Sequence, residues 1–233
     1  MNILAIDTSN ELLGVAVLNH KKVLGEISTN VKNDHSVRLM PAIVSLLEHL
    51  DMKPDHINKV VVAQGPGSYT GVRIGVTTAK SIAWALNIPI VGVSSLEALS
   101  YNGSLFNGMI SPFFDARRKM VYTGLYEKSG SQMIVVEKET NISMEEWLIK
   151  IAKRNEKILF LSPHFTVYRE MIEQIVGDLA VIPPFAVHIT RAAHVGYAGM
   201  YKDPVDVHSV TPNYLRLAEA EAKWLKANKG SSI

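Results

Sequence analysis

The sequence contains no cysteine among its 233 residues. Disulfide bonds, thiolate catalysis and cysteine-bound metals are therefore excluded, and a reducing compartment is permitted. There is no run of basic residues, and the net charge of +2 is too small to indicate nucleic-acid binding by itself. No apolar stretch approaches the roughly 18 residues of a membrane span. Residues 1–7 lack the basic start of a signal peptide. We expect a cytoplasmic protein with no membrane association.

Several signatures of catalytic and metal sites are also absent. None of the eight histidines stands in H-E-x-x-H or H-x-x-x-H spacing, so surface or capping roles are favoured over metal binding. No G-x-S-x-G elbow occurs, which leaves serine hydrolase chemistry without support. The hydrophobic content of 47% nevertheless predicts a globular protein with a sizeable core. The sequence thus predicts a folded chain that binds no metal.

A glycine-rich stretch at residues 64–86 is the most distinctive part of the sequence. It follows a short β-branched run at residues 59–63, which predicts a buried strand, and it continues as a helix. Such a strand, turn and helix N-terminus can together bind phosphate. However, there is no Walker A motif, and Thr70 occupies the third glycine position of G-x-G-x-x-G. The favoured alternative is that the glycines permit a tight turn and a close approach.

Small residues recur at every fourth position of the predicted helix. They are Gly71, Gly75, Ala79 and Ala83. Their spacing places them in one stripe, and each glycine costs roughly 1 kcal/mol relative to alanine. A stripe of this kind lets a helix or a sheet approach closely. It therefore predicts a docking surface, either inside this chain or between chains.

Another predicted helix, at residues 37–50, is apolar over about half of its circumference. One of its apolar stripes consists of Val37, Met40, Val44 and Leu47, and the neighbouring stripe consists of Leu39, Ile43, Leu46 and Leu50. This width exceeds the roughly 100° that a one-sided surface helix needs. The helix is therefore either sandwiched inside the domain or covered on one flank by another protein.

The two halves of the chain follow the same plan. Residues 3–6 predict a buried strand ending in Asp7, and residues 109–114 predict another ending in Asp115. Each is followed by two further strands and then by helices, which indicates an internal duplication. We predict an α/β protein with an N-terminal lobe at residues 1–102 and a C-terminal lobe at residues 103–211. Helices are expected at residues 186–201 and, packing on the N-terminal lobe, at residues 212–229.

Polar turns follow the two strands that end in aspartate. In the first turn, Asp7, Thr8 and Ser9 offer a carboxylate, hydroxyls and amides to a metal, a water or a phosphate. The alternative is ordinary turn chemistry, which the same residue types favour. The second is the densest cationic turn of the chain, and it consists of Arg117, Arg118 and Lys119. These cations could contact phosphate or RNA, and a solvated hairpin turn explains them equally well.

Five blocks of the sequence resemble the TsaB (YeaZ) family, in order across nearly the whole chain. They are ILAIDTS at residues 3–9, HS and LMP within residues 35–41, GPGSYTGVRIG at residues 65–75, DARR at residues 115–118 and TPNYLR at residues 211–216. The glycine-rich block is highly specific for the family. The resemblance implies an actin-like ATPase fold of the Hsp70/sugar kinase superfamily, with two ribonuclease-H-like lobes.

The resemblance also implies a function. The family takes part in making N6-threonylcarbamoyladenosine at position 37 of tRNAs that read codons starting with A. Its members do not perform the transfer: they pair with the paralogue TsaD, which carries the catalytic site, and they work with the ATPase TsaE. We expect a non-catalytic subunit that requires no cofactor, with ATP and a metal ion bound by partner subunits and tRNA reached through the complex. In the absence of TsaD, a homodimer is expected.

The residues favour the non-catalytic role as well. TsaD relatives carry two metal-binding histidines, four residues apart, and the corresponding positions here are about Ser95 and Leu99, of which leucine cannot bind a metal. Residues 7–9 are then interpreted as an ancestral phosphate turn. The partner surface is predicted to include the stripe from Val37 to Leu47 and the stripe from Gly71 to Ala83. An active ATPase or phosphotransferase of the same fold is the alternative, and a peptidase is a third hypothesis without a supporting motif.

Overall fold

The computed structural model describes residues 1–31 and 34–215. The first half of the chain forms β1 (Ile3–Asp7), β2 (Leu13–Leu18), β3 (Val23–Thr29), α1 (His35–His49), β4 (Lys59–Ala63), α2 (Tyr69–Leu86), β5 (Ile90–Val93) and α3 (Ser95–Ser100). The second half forms β6 (Met109–Asp115), β7 (Met120–Ser129), β8 (Gln132–Ser143), α4 (Met144–Ala152), β9 (Ile158–Leu161), α5 (Phe165–Val176), β10 (Ala180–Val181) and α6 (Ala192–Gly199).

The strands form two five-stranded sheets of identical topology. The first has the order β3-β2-β1-β4-β5, and the second has the order β8-β7-β6-β9-β10. In each sheet an antiparallel meander of three strands is extended by two strands that run parallel to the first strand of the meander. This repetition confirms the predicted duplication and the two-lobed, actin-like α/β fold with ribonuclease-H-like units.

The central strands of the first sheet form because their residues are apolar on both faces. Every residue of β1, β2 and β4 is buried. Near-continuous apolar runs of this kind are typical of strands that are covered on both sides. One face packs against α1 and α2, through residues such as Leu39, Ile43 and Val76. The opposite face packs against α6.

A second core lies between the two sheets. It joins first-sheet residues such as Ala5 and Val61 to Phe114 and Tyr126 of the second sheet, with α3 and α6 in the same layer. A third core packs α4 and α5 on the outer face of the second sheet, around the fully buried Trp147. The layers are therefore α1 and α2, the first sheet, α3 and α6, the second sheet, and α4 and α5.

The helices of the middle layer exchange partners between the two halves. All strands of the first sheet precede residue 102, and all strands of the second follow it. However, α6 packs on β1, β2 and β4, and Val205 pairs with Ile90 at the edge of the first sheet. Helix α3 packs on β6 and β7. Segments within residues 192–210 therefore pack on the first sheet, although they follow the strands of the second sheet in the chain.

The predicted helix at residues 186–201 is shorter in the structure. Residues 185–187 form a single 3-10 turn, Arg191 is extended, and α6 begins only at Ala192. The extended segment brings Arg191 to Glu26 of β3, whose carboxylate also accepts a hydrogen bond from Ala193 N–H at 3.0 Å. A tertiary contact thus decides where this helix begins. Residues 212–215 are not helical, and the remainder of the helix predicted at residues 212–229 lies outside the described residues.

Candidate functional site

The turn after β1 is buried although its residues are polar. Asp7 and Ser9 are fully buried, and Thr8 is nearly so. Oδ1 of Asp7 accepts hydrogen bonds from the N–H (2.9 Å) and the hydroxyl (2.7 Å) of Ser9. Oδ2 is buried and lacks a hydrogen bond of good geometry within the described part of the chain, although the nearby Thr190 hydroxyl partly favours the ionised carboxylate. Burial raises the pKa of Asp7, because the ionised carboxylate loses its hydration. The carboxylate therefore costs stability wherever it is ionised.

The glycine-rich stretch packs directly on this turn. Ser68 N–H donates to the carbonyl of Ser9 at 2.7 Å, and the Thr8 hydroxyl donates to the carbonyl of Gly71 at 2.7 Å. A methyl group on Gly67 or Gly71 would lie well under 3.0 Å from the carbonyl oxygen of Ser9 or Thr8, respectively. Glycine is therefore required for close approach, which is the favoured alternative of the sequence analysis.

The small-residue stripe of α2 faces inward. Gly71 and Gly75 pack on Thr8 of the β1 turn, and Ala79 and Ala83 are buried in the core beneath the first sheet. Because all four residues are buried within this chain, they do not present a surface to another protein. The structure corrects this part of the predicted interface. The stripe docks α2 onto its own sheet, and only the opposite side of α2 faces solvent.

The predicted stripe of α1 divides between surface and core. Val37 is 66% exposed, Met40 is 46% exposed and Val44 is 48% exposed. Leu47, the fourth member, is buried against the first sheet. Leu47 therefore belongs to the core and not to a surface, which corrects the predicted interface at this residue. Three large apolar side chains of this helix remain in contact with solvent.

Trp84 adds an exposed aromatic side chain on the neighbouring helix α2, which packs beside α1. It is 70% exposed, and the sequence analysis did not single it out. Successive residues on a helix point about 100° apart. Because Ala83 is buried, the next residue, Trp84, points away from the core. The exposure of Trp84 could therefore be inferred from the sequence once the small-residue stripe is assigned to the interior of the protein. The outer α1–α2 face is defined here as Val37, Met40, Val44 and Trp84.

The turn after β6 presents three cations. Arg117, Arg118 and Lys119 are exposed, and their φ angles are 64°, 56° and 61°. Left-handed backbone costs a non-glycine residue roughly 1–2 kcal/mol. Asp115 supports the turn, since Oδ1 of its carboxylate accepts Arg117 N–H at 3.1 Å and the Tyr168 hydroxyl at 2.6 Å. Burial and the Asp115 carboxylate raise the pKa of Tyr168, which keeps its hydroxyl protonated as a donor.

A cleft of about 260 Å³ lies between the two halves of the chain, and its lining includes Asn10, Asn30, Ser162, Arg169, Phe185 and His188. His188 is fixed in one tautomer, because Nδ1 accepts Ser162 N–H at 3.2 Å and Nε2–H donates to the carbonyl of Pro183 at 3.1 Å. Burial lowers the pKa of His188, so the ring is neutral near pH 7. The sequence analysis favoured a surface or capping role for all eight histidines, and for His188 this is wrong, because its side chain is buried.

The positions that correspond to the TsaD histidines are occupied by core residues. Ser95 and Leu99 of α3 are fully buried, and Leu99 belongs to the core between the sheets. Within residues 1–31 and 34–215, no three histidine, aspartate or glutamate side chains converge to hold a metal ion. In the same part of the chain, no helix combines the length and the apolar character needed to cross a lipid bilayer.

Comparison with known proteins identifies the family. Residues 16–224 match the family model described as TsaD, tRNA N6-adenosine threonylcarbamoyltransferase. The tRNA threonylcarbamoyladenosine biosynthesis protein TsaB of Bacillus subtilis is 49% identical over 98% of this chain and 100% of its own. TsaB of Buchnera aphidicola subsp. Schizaphis graminum is 34% identical over 67% of this chain and 72% of its own.

The likeness extends to a solved structure. YeaZ from Pseudomonas aeruginosa superposes with a TM-score of 0.77 at 23% identity, covering 91% of this chain and 99% of its own. This similarity shows a shared fold. Together with the near-complete match to the Bacillus protein, it establishes that this chain belongs to the TsaB family of tRNA threonylcarbamoyladenosine biosynthesis proteins, within the wider family that the TsaD model describes.

Proposed function

We propose that this chain is the non-catalytic partner of a TsaD-type protein in the complex that forms N6-threonylcarbamoyladenosine at position 37 of tRNAs reading codons that start with A, and that TsaE joins them. Membership in the TsaB family supports the pathway. The observation that carries the partnership is the outer α1–α2 face, where four large apolar side chains are 46–70% exposed on adjacent helices. Large apolar side chains exposed on neighbouring helices are typical of a protein-binding surface. The complex is expected in the cytoplasm.

The closed turn after β1 supports the non-catalytic part of the proposal. A phosphate would have to approach Thr8 and Ser9, but Ser68 and Gly71 already bond to them. This chain then requires no cofactor, and ATP and a metal ion are bound by the partner subunits. An active ATPase or phosphotransferase would behave differently in calorimetry. Titration of the isolated chain with ATP and Mg²⁺ should give no binding in the micromolar range, and micromolar binding with turnover would favour the enzyme.

Charged substitutions on the outer α1–α2 face test the partnership. Val37→Glu and Val44→Glu would bury a carboxylate in an apolar interface, so we expect affinity for the TsaD partner to fall by about tenfold or more. Val167→Glu on α5 is the matched control, because Val167 is 70% exposed in the opposite outer layer of the molecule. Co-purification and calorimetry measure binding, and thermal unfolding checks the fold. Unchanged binding by a folded Val37→Glu chain would contradict the proposal.

The same face also explains the homodimer that we propose for the chain alone. Two copies of an apolar face can cover each other when no other partner is present. Light scattering of the isolated chain should give a dimer for the natural sequence and a monomer for Val37→Glu. A Val37→Glu chain that stays dimeric would place the contact between copies elsewhere.

A further inference from the structure

Helix α2 carries an arginine and a tryptophan on its solvent side, Arg73 near its start and Trp84 near its end. Trp84 is 70% exposed, and Arg73 is exposed as well. The two residues are 11 positions apart, which corresponds to three turns plus about 20° of rotation and to a rise of roughly 16 Å. Their side chains therefore project from the same side of the helix, opposite the buried stripe from Gly71 to Ala83.

Tyr69 holds the guanidinium group of Arg73 in place. Nη1 of Arg73 donates a hydrogen bond to the Tyr69 hydroxyl at 2.6 Å, and Cζ of Arg73 lies 5.2 Å from the centre of the Tyr69 ring. A guanidinium group is planar, and each of its two faces can stack on an aromatic ring. Because Arg73 is exposed, a second ring can reach it from solvent. Little side-chain entropy is then lost on binding, since Tyr69 has already ordered the arginine.

Trp84 offers a ring for such a contact. Tryptophan is the aromatic side chain that binds a cation best, and its large apolar ring gains most from burial at an interface. Trp84 also lies in the last turn of α2, which ends at Leu86. The negative end of the helix dipole is located there and favours a cation nearby. An arginine that approaches Trp84 is therefore attracted both by the ring and by the end of the helix.

The spacing of Arg73 and Trp84 is complementary to itself. We consider two copies of α2 that pack in antiparallel orientation around a two-fold axis near residues 78 and 79. Arg73 of each copy then lies opposite Trp84 of the other, because both positions are equally far from the axis. The exposed side chains between them on this side, Thr77 and Ser81, are short. The two helices can therefore approach to the usual distance of about 8–10 Å.

Charge also favours the antiparallel orientation. In a parallel pair the two copies of Arg73 would meet and repel each other. In the antiparallel pair they lie roughly 16 Å apart along the helix, beyond the about 8 Å over which charges interact at physiological salt. Val37, Met40 and Val44 of the adjacent helix α1 are exposed beside α2. The same pairing would therefore remove apolar groups of the outer α1–α2 face from water as well.

We propose that α2 packs antiparallel on α2 of a second copy of this chain, and that two reciprocal contacts between Arg73 and Trp84 determine this pairing. The inference rests on the homodimer that is part of the proposed function. It adds the orientation of the two copies and the residues that recognise each other. A second copy fits this surface because it presents the same arginine and tryptophan at the required spacing.

Mixing two variants tests whether Arg73 and Trp84 meet across the dimer. Arg73→Gln and Trp84→Leu each remove one member of both contacts, so we expect the dissociation constant of either variant homodimer to rise by about tenfold or more. In a mixed dimer, one site retains both natural residues and the other site has neither. We therefore expect the mixed dimer to associate about threefold to tenfold more tightly than the statistical mean of the two variant homodimers.

Arg38→Gln is the matched control, because Arg38 is another arginine near the start of a helix in this pair. A mixture of Arg38→Gln with Trp84→Leu should show no gain over the statistical mean. Sedimentation equilibrium measures the homodimers, and native mass spectrometry resolves the mixed dimers by mass. Thermal unfolding should be the same for the natural chain, Arg73→Gln and Trp84→Leu, because both side chains are exposed.

A mixed dimer of Arg73→Gln and Trp84→Leu that associates only as the statistical mean would overturn the inference. So would a gain in the mixture that contains Arg38→Gln, because Trp84 would then contact the other arginine. A natural chain that stays monomeric also overturns it, and the TsaD partnership is then decided separately by the substitutions at Val37 and Val44. If the natural chain dimerises with the expected gain but never binds TsaD, the inference stands and the proposed partnership is refuted.

Discussion

At the scale of single residues, the β1 turn shows how packing outweighs local preference. Gly71 and Gly75 lower the intrinsic stability of α2, yet each stands where a Cβ would collide with Thr8. Thr8 in turn donates its hydroxyl to the carbonyl of Gly71. The contact between β1 and α2 thus depends on the absence of two side chains. Substitution of either glycine should therefore destabilise the protein.

Gly71→Ala distinguishes helix propensity from packing. In the interior of a solvent-exposed helix, this change would raise the free energy of unfolding by about 1 kcal/mol. Here the added methyl group would collide with the Thr8 carbonyl, so we expect the free energy of unfolding to fall by about 2 kcal/mol or more. Ser81→Ala, at an exposed position of the same helix, should stay within about 0.5 kcal/mol. Urea unfolding compares the two, and a Gly71→Ala chain more stable than the natural one would contradict the packing argument.

Asp7→Asn tests the cost of the buried carboxylate. The pKa of Asp7 in the folded chain is raised above its unfolded value of 3.8. The protein therefore loses stability as pH rises from the unfolded pKa to the folded pKa, and above the folded pKa the loss is complete. Asparagine keeps an oxygen for Ser9 but carries no charge. We expect its melting temperature at pH 7 to exceed that of the natural chain by roughly 2–4 °C.

The effect of Asp7→Asn should depend on pH. The difference in melting temperature should shrink as pH falls and vanish well below the unfolded pKa of 3.8, where the carboxyl group is protonated in both the folded and the unfolded chain. Thermal unfolding by circular dichroism measures both chains, and Asp178→Asn at an exposed site is the control. A lower melting temperature for Asp7→Asn at pH 7 would contradict the interpretation.

At the scale of elements, α6 is defined by side chains from the first half of the chain. Nζ of the buried Lys59 donates to the carbonyls of Gly199 (2.9 Å), Met200 (3.2 Å) and Lys202 (2.9 Å). The last carbonyls of a helix lack partners within the helix, and a cation there also opposes the negative end of the helix dipole. Glu26 accepts Ala193 N–H at the other end. An eight-residue helix is marginal alone, so these contacts determine its bounds.

Lys59→Met tests this support. Methionine retains most of the apolar length but leaves three carbonyls without their donor, two of them in buried hydrogen bonds, so we expect the free energy of unfolding to fall by about 2–4 kcal/mol. Lys53→Met at an exposed position is the matched control, with an expected change within about 0.5 kcal/mol. Hydrogen exchange of residues 192–199 should accelerate more than that of β1. Equal acceleration across both elements would indicate global destabilisation rather than a local loss at α6.

At the scale of the whole molecule, the layer between the sheets governs the response to acid. Helix α6 lies in that layer, and burial together with the nearby Arg191 lowers the pKa of His194 to about 4. Burial lowers the pKa of His188 in the cleft as well. His194 is therefore neutral in the folded chain near pH 6, where the unfolded chain already takes up protons, and the lowered pKa of His188 acts in the same direction. The fold should therefore weaken in mild acid.

The sign and the pH range of this effect follow from the two pKa values of His194. The unfolded value is 6.5 and the folded value is about 4, so stability is complete above pH 6.5 and is lost progressively as pH falls towards 4. We expect a loss of about 2–3 kcal/mol across this range. His194→Gln should flatten the curve of unfolding free energy against pH, whereas His20→Gln at an exposed site should not. An unchanged slope in His194→Gln would exclude this histidine as the cause.

How well each feature of this protein could be predicted depends on how far apart in the chain the interacting residues lie. The strands β1 and β6, each ending in aspartate, and the duplicated order of elements were predictable because they depend on local apolar patterns. The glycine-rich stretch was interpreted as a close-approach turn because it matches no phosphate-binding motif, and the contacts of Gly67 and Gly71 agree with this. The bounds of α6 were not predictable, since they depend on Lys59 and Glu26, more than 100 residues away in the chain. The spacing of the residues could not reveal those partners.

By itself, the sequence determined the fold class, the duplication and the family, because periodic apolar runs and the GPGSYTGVRIG block are local properties. Only the tertiary structure decided what each surface faces. The stripe from Gly71 to Ala83 has the same spacing whether it packs on a sheet or on a partner, and only the contact with Thr8 places it inside. Likewise, the sequence shows only that residues 117–119 form a charged turn. Their left-handed backbone and the hydrogen bond from Arg117 N–H to Asp115 are known only from the structure. Helical and turn patterns specify which residues share a face, whereas packing between distant segments determines which face meets solvent.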